Sequence, residues 1–359
     1  MKKIYYITAV FATLFLVGCG DGIDLPGVNV ETDLNKIPLP DNNVNLEQVE
    51  LKPSTEPMLH EGLHTEEDFQ RIRDKKAAGE EPWVSAYQLL VESQFSQKTA
   101  DTYPTELIKR GISGDENYMN AARGATIVYQ QALRWKIEQD DEYAAKAVEN
   151  LNKWVQTCVG VTGNTNLSLA AGLYGYEFAI AGELLRDYGG WDRADFAAFQ
   201  NWLLKVFYPA NDDFLKRHHD TNALHYWANW CLCNIAAKMA IGIVTDRRDI
   251  YNEGIDHLQT GDTNGRLRRA IYHDYAPDYN FAQWQESGRD QGHTLMCVGL
   301  MGIICQLAWS QGDDFFAYDD NLFMRACEYA ACCNYTNETV PYTTYIWQKQ
   351  SQWGYPIPE

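Results

Sequence analysis

An all-α fold, with helical hairpins set as an inner and an outer ring, is what this 359-residue sequence predicts. Three observations point to such an α/α toroid, incomplete or closed. Apolar residues recur at helical spacing through most of the chain. Two segments, 221–244 and 288–309, are apolar on nearly every side, as helices buried all round must be. Strand-like alternation is scarce, and no fixed-length repeat supports a stacked solenoid instead.

The first residues predict export. Lys2 and Lys3 form a basic end, 4–17 is a short apolar run, and Leu16-Val17-Gly18-Cys19 reads as a lipobox. That run is too short to span a bilayer as a domain's own helix. Residues 1–18 are therefore expected to leave as a lipoprotein signal peptide. Cys19 is the expected lipidation site, so the membrane is met only through an N-terminal lipid anchor. A bacterial outer-membrane lipoprotein follows. Residues 19–57, rich in Asp, Asn, Pro and Gly, predict a tether. No second linker divides 58–359, which predicts one large domain.

Within that domain, Tyr118, Ala122, Ala125, Tyr129 and Ala132 step by four and three along one helical face. Ala144, Ala147, Leu151 and Trp154 repeat the pattern after the acidic turn at Asp140-Asp141. Further helices are expected over 83–93, 167–187, 195–207, 221–244, 246–259, 288–309 and 321–334. Clusters such as Asp187-Tyr188-Gly189-Gly190 and Gln311-Gly312-Asp313-Asp314 separate them.

The net charge is −19, and more negative by two once Lys2 and Lys3 leave with the signal. Nucleic acid is excluded as a partner, because nothing offsets phosphate repulsion. The basic residues nevertheless concentrate at Lys216-Arg217-His218-His219, Arg247-Arg248, Arg266, Arg268-Arg269 and Arg289. A local field in a cleft can oppose the global charge. Eight cysteines follow Cys19, most inside apolar helical runs, where buried thiols are expected rather than disulfides. Cys231-Leu232-Cys233 lacks the two-residue gap of a metal pair.

The run Gln283-Trp284-Gln285-Glu286-Ser287-Gly288-Arg289-Asp290-Gln291-Gly292-His293 leads straight into an apolar helix. Such a helix has its first turns in a wet cleft and its body in a core. Glu286, Arg289 and His293 are expected on one face, either as an internal ion-pair network or as ligand contacts. Asn222, His225 and Asn229 are expected on one stripe of the helix that carries Tyr226, Trp227 and Trp230, beside indole faces suited to sugar rings. Tyr272-His273-Asp274-Tyr275 follows the arginines, whose charge favours a phenolate and makes a tyrosine a usable base or acid.

Gln285-Glu286-Ser287-Gly288-Arg289-Asp290-Gln291-Gly292-His293, with His225-Tyr226-Trp227-Ala228-Asn229-Trp230 upstream, resembles the alginate lyase superfamily. The likeness runs from Gly62-Leu63-His64 to Pro341-Tyr342-Thr343-Thr344-Tyr345. It implies an α/α toroid, a polysaccharide lyase activity and an anionic polysaccharide as partner. Members carry an Asn-His pair just before Tyr-Trp, and a tyrosine in a Tyr-His-Asn-Tyr run. Their Asn neutralises the substrate carboxylate, while His and Tyr act as base and acid. Carried over, these roles fall on Tyr272 and His225, with Asn222 or Asn229 as neutraliser. Here the third residue of the Tyr-His-Asn-Tyr run is Asp274, and Asn222 lies three residues before His225.

The reaction so implied is β-elimination across C4–C5 of a 1,4-linked uronate, in alginate or a related polymer such as glucuronan. Donors must offset the carboxylate before the C5 proton can leave. Trp227, Asn229, His273, Gln285, Glu286, Arg289 and His293 are the expected chain-holding residues, and no metal or other cofactor is expected. Two other classes compete: an inverting glycoside hydrolase, which needs two carboxylates across a sugar, Glu286 being one candidate, and a non-catalytic glycan-binding lipoprotein.

Overall fold

The computed structural model describes residues 54–335 and 340–343. Among them α1 (Glu66–Ala77) and α2 (Trp83–Glu92) precede β1 (Leu107–Arg110). Then come α3 (Tyr118–Glu138), α4 (Asp141–Thr157), β2 (Gly160–Gly163), α5 (Leu167–Leu184), α6 (Arg193–Val206) and α7 (Tyr208–Arg217). The chain continues through α8 (Ala228–Val244), α9 (Arg248–Thr260), the single turn α10 (Leu267–Ala270), β3 (Ile271–Asp274) and β4 (Ala282–Trp284). Last are α11 (Gln291–Ser310) and α12 (Tyr318–Tyr335).

Hydropathy sorts these helices into two layers. α5 and α8 are buried on almost every side, and they pack in the series α3, α5, α8, α11 as an inner arc. α11 is apolar enough to cross a bilayer by composition, yet more than half of it is buried in the fold. α4 and α9 are one-sided and lie outside. α4 turns in Ala144, Ala147, Leu151 and Trp154, the stripe its spacing predicts. Close contact between inner helices depends on small residues: a Cβ on Gly172 of α5 would sit 2.4 Å from Cys233 Sγ of α8. The architecture is the expected α/α toroid. Among the described residues the eight cysteines form no disulfide, and six are buried.

All four inner helices run the same way. Asn229, in the first turn of α8, reaches Met296 in the first turns of α11. Arg186, just past α5, donates to Ile243 O and Val244 O at the end of α8. Lys136 near the end of α3 lines a cavity with Glu183 and Leu184 near the end of α5. The helix N-termini therefore gather at one end of the ring and the C-termini at the other.

The C-terminal end is crossed by residues 54–64. Asn252 donates to Ser54 O, and Arg248 to Glu56 O and Pro57 O. Gln311 donates to Leu59 O and Glu61 O and accepts from Leu59 N–H. His64 Nε2 lies 2.6 Å from Tyr129 Oη. Residues 54–57, expected in the tether, thus lie against α9. Cys19 and the rest of that stretch lie outside the described residues.

Several elements differ from expectation. The helix expected over 221–244 begins only at Ala228, and the one over 288–309 begins at Gln291. α7 occupies residues where none was expected. Two small sheets appear, β1 with β2 in parallel and β3 with β4 antiparallel, the latter irregular between Ile271 and His273. Strands of three or four residues are too short to show alternation.

Candidate active site

The N-terminal end of the inner arc is built from the loop before α8 and the β3–β4 hairpin that leads to α11. α8 cannot start earlier because a distant side chain holds the preceding turn open. Asn264 Nδ2 donates to Leu224 O and Tyr226 O at 3.1 and 2.8 Å. Asn222 Oδ1 accepts from Leu224 N–H at 2.8 Å, an Asx turn. Asn222 and His225 thus sit half-buried on a turn rather than on a helical stripe with Asn229. The expected common stripe does not exist.

The 283–293 motif explains how α8 is capped. Trp227 is its N-cap residue but makes no capping bond through its own side chain. Instead Gln285 Oε1 accepts from Ala228 N–H at 2.8 Å, and Glu286 Oε1 from Asn229 N–H at 3.1 Å. Two of the helix's otherwise unsatisfied donors are met from another segment. Gln285 and Glu286 are fully buried and Asn229 is 1% exposed, so these three expected sugar contacts offer a ligand no surface. The physical reason is that a helix N-terminus inside the ring must be capped where water does not reach.

Arg289 follows the capping turn with its side chain 14% exposed. Its Nη1 lies 2.9 Å from Glu286 Oε2, and its guanidinium lies 4.9 Å over the Trp227 ring. The expected ion pair with Glu286 is formed. Asp290 caps α11, accepting from His293 N–H at 2.8 Å, and its other oxygen meets His293 Nδ1 at 2.6 Å. Burial alone would raise the Asp290 carboxyl, but these two bonds and Arg289 hold it below the usual range. A break at Asp290 separates the 3₁₀ turn Gln285–Gly288 from α11, so the expected helical face does not run through Glu286, Arg289 and His293.

Tyr272 lies on β3, 6% exposed, and its hydroxyl donates to Thr343 O. Gln283 also grips Thr343, with Nε2 on its carbonyl and Oε1 accepting its N–H. Thr343, in the segment where the family likeness ends, is thus docked against β3 and β4; Thr344 and Tyr345 lie outside the described residues. The arginines thought to act on Tyr272 have other partners. Arg268 bonds Asp274 and Asp319, and Arg269 bonds Asp262 O. Asp274 is also gripped by Arg325, which gives an acid at this position a clear structural purpose. His273 is half-buried, edge-on to Tyr275, and burial lowers its pKa against the pull of Asp274.

Sequence reasoning missed two contributors. His219 follows α7 with positive φ, and its Nε2 lies 2.9 Å from Ser168 Oγ at the start of α5. Asn264 fixes the Asn222–Tyr226 turn from forty residues away. The four residues His218-His219-Asp220-Thr221, polar between two helices, were the available signal for the first. A cavity of about 250 Å³ lies elsewhere: His60, His64, Lys136, Glu183 and Asp187 help line it at the C-terminal end. At the other end four parallel helix dipoles present their positive ends, a field that suits an anion in a protein of negative net charge.

Comparison with known proteins agrees with this fold. The alginate lyase family profile matches residues 73–338. The fold is similar to alginate lyase A1-III from Sphingomonas species A1, at 12% identity and TM-score 0.54, covering 77% of this chain and 79% of that one. A histidine-to-alanine variant of that enzyme, solved with a tetrasaccharide, matches at 13% identity and TM-score 0.60, covering 77% and 78%. An alginate lyase from Bacteroides ovatus matches at 15% identity and TM-score 0.54, covering 82% and 86%. No curated protein sequence matches.

Proposed function

This chain belongs to the alginate lyase family and is a polysaccharide lyase; we propose that it cleaves 1,4-linked uronate polymers, alginate or a relative such as glucuronan, by β-elimination. The observation that carries this reading is the stack of Arg289 on Trp227. It joins the turn bearing Asn222 and His225 to the capped hairpin bearing Tyr272.

The C5 proton of a uronate is weakly acidic while the neighbouring carboxylate keeps its charge. Asn222 engages its side-chain oxygen with Leu224 N–H, which points its amide NH₂ toward the role of donor. Together with Arg289 and the inner-helix dipoles it offsets the carboxylate and stabilises the enolate-like intermediate. His225 takes the C5 proton. Tyr272, a hydrogen-bond donor here, gives its proton to the O4 leaving group. Asn229, Gln285 and Glu286 act behind this surface: the latter two cap α8, and Glu286 also anchors Arg289. Trp227, His273 and His293 flank the sugar chain. The hydrolase alternative loses its one nominated carboxylate, since Glu286 is fully buried and paired. The lipobox ending at Cys19 supports a position at the bacterial envelope, where the enzyme would meet exogenous polymer.

The test is ultraviolet absorbance from a new C4–C5 double bond during incubation with polymannuronate, polyguluronate and glucuronan. Absorbance must rise with at least one of them, and Tyr272→Phe must lower turnover about a hundredfold or more. Reducing ends without absorbance would mean a hydrolase, and full turnover by the Tyr272 variant would remove that residue from the chemistry.

A further inference from the structure

Among the described residues four arginines and lysines are more than nine-tenths buried as whole residues: Arg110, Arg134, Lys238 and Arg325. Three of them have carboxylate partners. Arg134 pairs with Glu138, Lys238 lies 2.8 Å from Asp212 and 2.5 Å from Glu253, and Arg325 grips Asp274. Arg110 has no acid in ion-pair range among the described residues. Its Nη1 reaches Tyr174 Oη at 3.4 Å, and its guanidinium lies 4.7 Å over the Tyr118 ring. A guanidinium drawn out of water without a counter-charge is costly, and arginine cannot shed its proton to escape that cost.

The location of this charge is specific. Arg110 ends β1, beside the first residue of α3 and the second turn of α5, at the same end of the ring as Trp227 and Arg289. The parallel partner strand holds it closely. Arg110 pairs with Gly163, where φ is +148° and a Cβ would fall 1.7 Å from Arg110 O. No side chain fits there, so the glycine keeps the strand pair closed around the arginine's backbone. The result is a fixed cation with a planar fork of donors, in a field set by helix N-termini, lacking an anion.

We propose that Arg110 binds the carboxylate of a second uronate along the polymer, at a subsite apart from the elimination centre. This rests on the uronate reading given above. Arg289 stands where α8 and α11 begin and Arg110 where α3 and α5 begin. Two inter-helix spacings separate them, roughly 16–20 Å around the rim. A dimer held at Arg289 falls short of Arg110, whereas a hexamer spans both.

Calorimetric titration tests this, with every protein in the Tyr272→Phe background so that the ligand survives. The probes are a 1,4-linked mannuronate hexamer, the dimer, and the hexamer with its carboxylates reduced to alcohols. Arg110→Gln is expected to weaken the hexamer by about tenfold to a hundredfold. Affinity for the dimer and for the reduced hexamer stays as it was. Arg110→Lys, a point charge without the fork, falls between the two, and it decides the matter should the glutamine variant fail to fold. Hexamer affinity unchanged in the variants overturns the subsite while leaving the lyase reading intact. A parent protein that binds neither the mannuronate hexamer nor guluronate and glucuronate hexamers titrated alongside overturns both.

Discussion

The two ends of the helical ring solve the same problem with opposite results. Both must satisfy the backbone groups that helices leave unpaired. At the C-terminal end Arg186 serves the last carbonyls of α8, and Gln311 ties Leu59 and Glu61 across the ring. Those bonds close the structure. At the N-terminal end Gln285 and Glu286 cap α8 from another segment, and the same Glu286 carries Arg289 onto Trp227. Here the caps also build a surface. A cavity of about 250 Å³ belongs to the first end and the donors suited to an anion to the second.

The contrast is open to direct attack. The largest effect is expected from Glu286→Ala, which strips a fully buried cap and takes from Arg289 its closest carboxylate. Denaturant unfolding should show a loss of about 3–5 kcal/mol, with lyase turnover falling as Arg289 loses its place. Unchanged stability would mean that the cap is dispensable and the ends are alike. Gln311→Ala at the other end should cost about 1–3 kcal/mol, since it orphans Leu59 N–H and two carbonyls. Its kcat/KM should match the parent's; a parallel fall in turnover would show that the closing end also shapes the site.

The smallest effect concerns pH. His218, 2% exposed at the rim, is held by burial at a pKa of about 4 against the ordinary 6.5. Between these values the unfolded chain binds a proton that the folded one refuses. The contribution is therefore complete above pH 6.5 and fades as the pH falls toward 4, by at most about 1.4 kcal/mol per unit. His218→Gln removes this dependence. Melting temperatures of parent and variant, measured from pH 7 down to 5, should shift relative to one another in the variant's favour. A constant difference would show that His218 titrates alike in the folded and unfolded states.

The layered helices were legible because burial leaves a mark on composition. All-round apolar segments became inner helices, and the Ala144–Trp154 stripe became the inward face of α4. Helix starts were not. Asn222, His225 and Asn229 step by three and four, as a helix would, yet Asn264 holds the first two in a turn. That constraint is tertiary and leaves no local trace. The motif at 283–293 showed its polarity but not its task. A glutamine that caps a neighbouring helix looks, in sequence, like one that binds a sugar. Arg110 escaped notice because a single arginine in Leu107-Ile108-Lys109-Arg110 is ordinary until its lack of a counter-charge is seen.

The strand of chain from Ser54 to His64 has an orientational consequence. It joins the ring at the face opposite Trp227 and Arg289, so the lipid anchor proposed at Cys19 would pull from behind. A protein moored that way presents its receptive rim outward, toward polymer arriving from the medium, and keeps its back to whatever surface holds it.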